Sequence, residues 1–369
     1  MHYPDADRIE KMKEKRFDQL KKGTKDSALQ LAFDFFNNIE PEDGRHSHSV
    51  ELFDILPKYL PDVRKLERQQ TIDGQYHVLP DREVDFMYGQ QQYRLIVSPA
   101  RIKEPDGRYI DYYPGPKERI VEMALRKLAI DKRRTQLIED WAGFTFTLHE
   151  LRKELERIGH RSNIEDIKHA IEILHKCSIE LTDETGDVRI SSPILPARGI
   201  NQKQVNGDVV TFVLFHPLIR ASIEQVDFRQ HDYLMAASIK NHLAQYLHTR
   251  LVHRYTQASH LHPYGPIKAS TIISGAGASY SRTRKGLERV QEALQELIER
   301  KVLTKVETKP IHGPRGATVD EEHTLFPTSE FIAEQKRANR LADDTKTAHG
   351  RQTAASKEQR IEADRRRLR

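Results

Sequence analysis

The sequence predicts an α+β chain, mainly α, built from tandem winged helix-turn-helix domains with β-hairpin wings, a flexible N-terminal arm and a C-terminal tail. Three observations carry this. Apolar residues recur at helical spacing through several 12–20-residue stretches. The succession helix, helix, tight turn, helix, β-hairpin is legible twice. Highly charged stretches without apolar periodicity lie at both ends.

The expected order is residues 1–60, an arm with short apolar motifs, then 61–113, a β-rich lead-in. A first winged-helix domain follows over 114–200, a second over 208–332, and a basic disordered tail over 333–369. In the lead-in, YRLIVSPARI and RYIDYYPG flank a Pro105-Asp106-Gly107 turn. KERIVEMALRKLAI then reads as a helix. Thr147-Leu-His-Glu150 and Ser162-Asn-Ile-Glu165 both match a capping box, so helices are expected from Thr147 and Ser162. SIELTDETGDVRIS reads as a hairpin turning at Asp183 to Asp187.

The second domain is expected to open with FVLFHPLIRASI, a strand running into a short helix. One long helix then covers Asp232 to Tyr255, with Ile239, Leu243, Leu247 and Leu251 inward. A short helix at ASTIIS, a Gly275-Ala-Gly277 turn and a helix over Ser281 to Lys301 follow. VLTKVETK, a Gly/Pro-rich loop and HTLFP complete the second hairpin.

The 369 residues carry a net charge of +5, with 31% charged and 37% hydrophobic residues. The stretch from Ala333 holds 11 basic and 6 acidic residues, which is the whole surplus, so the body is neutral. Any polyanion partner must therefore be argued from single elements. No apolar run approaches the ~20 residues that span a bilayer. A lone cysteine, Cys177, excludes an internal disulfide and suits a cytoplasmic setting.

The helix at Ser281 poses an electrostatic problem. Leu287, Val290, Leu294 and Leu297 form its buried face. Arg282, Lys285, Arg289, Glu292 and Glu296 form the outer one, with Arg284 beside them. Cations at a helix N-terminus oppose its dipole, at about 0.3–1 kcal/mol each. A DNA phosphate would offset that cost, and a basic first turn suits the major groove. Ser281, Arg282, Thr283, Arg284, Lys285 and Arg289 are therefore expected to bind DNA, with Lys305, Lys309 and Arg315 on the wing. The corresponding helix of the first domain shows Glu165, His169, Glu172 and Lys176. Only Arg161 and Lys168, with His160, suit phosphates, so that module serves backbone docking, dimerisation or protein binding.

Enzyme motifs are poor. GAGASYSRTRKG lacks P-loop spacing, and His46-Ser-His48 and His260-Leu-His262 lack the context of metal-dependent nucleases. No catalysis, cofactor or metal is expected.

YLMAASIKNHLAQYLHTRLVHRY resembles the long helix opening the second domain of plasmid replication initiators of the Rep family with two winged-helix domains. FTLHELRKELERIGH resembles that family's first helix-turn-helix. The similarity covers roughly Asp111 to Ile332. It implies binding to double-stranded DNA at repeated origin sites (iterons), opening of an AT-rich segment, recruitment of the host replicative helicase and self-repression as a homodimer. It places base reading on Arg282, Arg284, Lys285 and Arg289. QLAFDFF and SVELF are similar to short peptides that bind the replicative sliding clamp, which makes Leu52 and Phe53 candidate partner contacts; packing on the first domain is the other reading. The family resemblance implies a bacterial cytoplasmic protein. A transcriptional regulator using the same two domains is the alternative function.

Overall fold

The computed structural model describes residues 27–39, 44–61, 78–131, 134–138, 141–205, 208–314 and 316–367. The fold is mixed α/β, with eleven helices and five small antiparallel sheets among these residues. Two main hydrophobic cores organise it.

The first core begins with the segment expected to be a flexible arm. Helix α1 (Ser27–Phe36) buries Ala32, Phe33 and Phe36, and strand β1 (His46–Ser49) is buried at every position. Helix α2 (Glu51–Ile55) buries Phe53 completely. The described parts of the arm, residues 27–39 and 44–60, are thus part of the folded body, because its aromatic residues gain roughly 1.5–3 kcal/mol each on burial. Residues 1–26 lie outside the described set.

The lead-in supplies β2 (Arg82–Tyr88), β3 (Gln91–Ser98), β4 (Ala100–Lys103) and β5 (Tyr109–Tyr112). Helix α3 (Pro116–Asp131) is buried on most of its circumference, and β6 (Gln136–Ile138) and β7 (Trp141–Thr147) follow it. Helix α4 (Leu148–Arg157) starts with the expected box: Thr147 accepts from Glu150 N, and Glu150 accepts from Thr147 N. The second box falls one residue late. Asn163, not Ser162, caps α5 (Ile164–Lys176) by accepting from Asp166 N at 2.7 Å. An amide oxygen does the same work as a hydroxyl at this position.

The hairpin β8 (Ser178–Asp183) and β9 (Val188–Pro193) turns where expected. Asp183 Oδ1 accepts from Thr185 N and Asp187 N, and Gly186 supplies a φ of +83°. The hairpin does not stand free: β3 pairs with β8, giving a sheet in the order β2-β3-β8-β9. Strands β10 (Arg198–Val205) and β11 (Asp208–Leu214) join β7 and β6 in a further sheet. His216 caps α6 (Pro217–Glu224), and β12 (Arg229–Asp232) pairs with β1.

The long helix expected over Asp232 to Tyr255 is two helices, α7 (Tyr233–Ser238) and α8 (His242–Arg254). Ile239 is extended, and Asn241 starts α8 by accepting from Leu243 N and Ala244 N. Leucine periodicity runs through the break, but the backbone does not. The second core packs α8 on α9 (Ala269–Gly275) and α10 (Thr283–Glu299). A sheet β13-β15-β14 closes it, from β13 (Tyr264–Lys268), β14 (Leu303–His312) and β15 (Thr318–Pro327).

The expected disordered tail is instead helical. Helix α11 (Ser329–Arg367) buries Phe331, Ile332, Gln335 and Ala338 and packs along α1 and β12. Arg337 bonds His46 at 3.0 Å and Asn339 donates to Thr256 O at 2.6 Å. Alanine, arginine, lysine and glutamate hold a helix by propensity where apolar periodicity is weak. No helix among the described residues is long and apolar enough to cross a membrane.

Candidate nucleic-acid interface

Helix α10 is built as the electrostatics suggested. Gly286, Leu287, Val290, Ala293, Leu294 and Leu297 face the core. Gly286 lies so close to α9 that a Cβ there would sit 3.0 Å from Ile273 and 3.3 Å from the Tyr280 ring. Arg282 occupies the N-cap without a side-chain cap, and the first turn contains no acid. Its leading N–H groups therefore point outward with no counter-charge from the helix itself. Ser281, Arg282, Thr283, Arg284, Lys285 and Arg289 are all exposed.

The outer face differs from expectation in two respects. The cations are partly compensated: Arg284 pairs with Glu288 at 2.9 Å and Arg289 with Glu292 at 2.6 Å. The Arg284 side chain nevertheless stays 91% exposed, and Arg282 and Lys285 form no ion pair with described residues. Glu296 is not part of an outward acidic half. It is half-buried, and its carboxylate accepts from Lys240 N and Asn241 N at 2.8 and 2.9 Å.

The second hairpin lies beside α10. Ser270 of α9 donates to Asp320 at 2.6 Å, and Gln291 of α10 donates to Glu321 at 3.2 Å. These contacts fix the hairpin against both helices and engage two of its three consecutive acids. Lys305 is tied down, 2.6 Å from Glu307 and 4.2 Å above the Phe326 ring. Lys309 is exposed and forms no ion pair among the described residues. Arg315 lies outside the described residues; its neighbours Gly313 and Gly316 close the loop through Gly316 N to Gly313 O.

Lys268 was missed by sequence reasoning. It stands exposed at the start of α9, opposite Glu322, which is itself opposite Lys309. Directly opposed residues on neighbouring strands share a face. The two lysines therefore flank one glutamate across three strands. The available signal was a basic residue immediately before the short helix, although only the register joins it to Lys309.

In the first unit the sequence-predicted residues are less well placed. Arg161 is 87% exposed and sits 3.7 Å from Glu156; Lys168 pairs with Glu165 at 2.8 Å. The outer stripe of α5 is partly covered. β4 packs along the helix, His169 meets the Tyr112 ring edge-on at 4.9 Å, and Arg198 reaches Glu172 at 3.6 Å. The stripe proposed from helical spacing is an internal contact for half its length.

The partner contacts expected at Leu52 and Phe53 are packed inward. Lys58 and Arg126 lie 3.9 and 5.5 Å from the centre of the Phe53 ring, and Leu52 rests partly buried on the first core. His46 and His48 lie on β1, with the His48 ring 4.7 Å from Phe228 and its Nε2 2.9 Å from Asn38 O.

No protein-family model matches the sequence, and no curated protein matches it. Among solved structures the chain is similar to domains 2 and 3 of RctB in a selenomethionine crystal structure. That match has 11% identity and a TM-score of 0.42 over 72% of this chain and 99% of the other. A second crystal structure of RctB domains 2–3 gives 8% identity and 0.40 over 69% and 95%. The Pi initiator protein in complex with iteron DNA gives 11% and 0.39 over 58% and 91%.

Proposed function

We propose that this chain is a non-enzymatic, sequence-specific double-stranded DNA-binding initiator of plasmid replication. In this reading both helix-and-hairpin units are winged helix-turn-helix modules, with the second as principal base reader. The observation that supports it is the uncapped first turn of α10. Exposed cations there face solvent with no acid in the turn, beside a sheet carrying Lys309 on β14 and Lys268 on β13. A duplex would supply the missing negative charge. The covered stripe of α5 suits the first unit to backbone docking through Arg161 and Lys168, or to pairing with a second copy.

Under the same reading the protein binds repeated origin sites in a bacterial cytoplasm, promotes opening of AT-rich DNA and recruits the host helicase. A sliding-clamp contact through Leu52 and Phe53 requires α2 to leave the core, since Phe53 is fully buried.

The test is equilibrium binding to fragments of the DNA adjoining the coding sequence, set against random duplex of equal length. Arg284→Ala is expected to cost about 1–3 kcal/mol on the cognate fragment and little on random DNA. Wild-type protein that binds every fragment equally overturns sequence-specific recognition.

A further inference from the structure

A cavity of about 300 Å³ opens where the two cores meet. One wall comes from Leu56, Met123 and Ala236 of the first core. The other comes from Ile239, Tyr246 and the Ala276–Tyr280 turn that leads into α10. Four cations line it: Lys58, Arg82, Arg119 and Arg126.

Among the described residues only Arg126 forms a direct ion pair there. It holds Asp54 at 2.5 Å and Glu122 at 2.8 Å, which occupies both carboxylates of the cavity wall. The others donate to backbone carbonyls: Lys58 to Phe53 O, Arg82 to Pro57 O at 2.7 Å and Arg119 to Ala236 O at 3.2 Å, and Lys58 also lies 3.9 Å from the centre of the Phe53 ring and 4.9 Å from that of Tyr59. None of the three has a carboxylate within ion-pairing distance among the described residues. The Tyr59 hydroxyl is also buried there without a partner. Burial pushes the Lys58 ammonium down to about 8 and lowers both the Arg82 and Arg119 guanidiniums. Asp54 and Glu122 act on Lys58 and Arg119 only from beyond ion-pairing distance, and a cluster of cations so placed, with a spare hydroxyl donor, is complementary to a multivalent anion.

We propose that this cavity binds a small phosphate-bearing anion, held by Arg119, Lys58 and Arg82 with the Tyr59 hydroxyl donating to it. The cavity shares the Ala276–Tyr280 turn with α10, but Lys58, Arg82, Arg119 and Tyr59 lie on other parts of the chain.

Calorimetric melting of the full chain at pH 7 and fixed ionic strength tests this, using pyrophosphate, adenosine diphosphate and adenosine. Pyrophosphate at about a hundredfold excess over its Kd is expected to raise the midpoint by roughly 3–6 °C, and adenosine not to raise it. A larger shift with the diphosphate than with pyrophosphate identifies a nucleotide; equal shifts identify the phosphate group alone. Arg119→Gln should abolish the shift while changing the midpoint of the empty protein little, since Arg119 is half-buried and forms no ion pair among the described residues. Tyr59→Phe, which keeps the ring packing, should weaken binding about fivefold. No shift in the wild type overturns the proposal. So does a shift that survives both substitutions, or one lost only on Arg282→Ala with Lys285→Ala.

Discussion

The Glu296 carboxylate of α10 accepts the backbone N–H of Asn241 at 2.9 Å and that of Lys240 at 2.8 Å. Asn241 in turn caps α8. The helix that carries the cationic tip is thereby fastened to the break between α7 and α8. Glu296→Ala leaves two N–H groups without their charged acceptor and is expected to cost about 1–3 kcal/mol of stability. Glu292→Ala, on the exposed side of the same helix, is expected to stay within about 0.5 kcal/mol. Urea denaturation of both variants checks this, and equal losses would remove the fastening role.

Under the proposed DNA-binding reading, the ion pairs of Arg284 with Glu288 and Arg289 with Glu292 compete with DNA for the same guanidinium groups. Exposed helical pairs of this kind are worth only about 0.3–0.5 kcal/mol. Glu288→Gln with Glu292→Gln is therefore expected to leave folding almost unchanged. It should tighten DNA binding several-fold at low salt, because both arginines are released and two like charges leave the interface. Anisotropy titrations at two salt concentrations report this; unchanged or weaker binding would place α10 away from the duplex.

The legibility of these features follows their range. The capping box at Thr147 and the apolar stripe of α10 are local, and each appears in the structure as its residues suggest. The break at Ile239 to Asn241 was hidden because Ile239, Leu243, Leu247 and Leu251 keep their spacing across it, while the deciding acceptor, Glu296, lies 55 residues from Asn241. The sheathing of α5 was equally hidden, since β4 and Tyr112 approach it from a segment more than fifty residues earlier. Helix α11 lacks an apolar period, and its burial of Gln335 and Ala338 against α1 and β12 is tertiary. The cationic tip was legible as a candidate site, whereas the Lys268, Glu322, Lys309 row needed the strand register.

That row yields a distinction between two wing lysines. Lys309 is free to meet a phosphate, whereas Lys305 is held by Glu307 and Phe326. Lys309→Ala is expected to reduce the log–log salt slope of DNA binding by about one unit, and Lys268→Ala by a similar amount. Lys305→Ala should reduce it by clearly less. Slopes measured between about 50 and 200 mM salt decide this, and a larger effect at Lys305 would reverse the assignment of the outward face.

Buried histidines give the fold a pH dependence of known sign. Burial pushes His48 and His248 down to about 4 and His253 to about 3, from an ordinary value of 6.5. The unfolded chain therefore binds more protons than the folded one between about pH 4 and 6.5. Stability must rise with pH through that window, by up to about 1.4 kcal/mol per pH unit for each group. Glu334 acts oppositely: burial, with Asp232 nearby, raises it from 4.5 to about 7, so the folded chain holds that proton from about pH 4.5 to 7. Its contribution falls as pH rises through that window, and above it the carboxylate is ionised and costly. Glu334→Gln is accordingly expected to stabilise the protein at pH 8 by about 1–3 kcal/mol and to change little at pH 4.5. Urea unfolding across pH 4.5 to 8 measures both effects, and a variant no more stable than wild type at pH 8 would show that Arg337 and Arg45 already neutralise the charge.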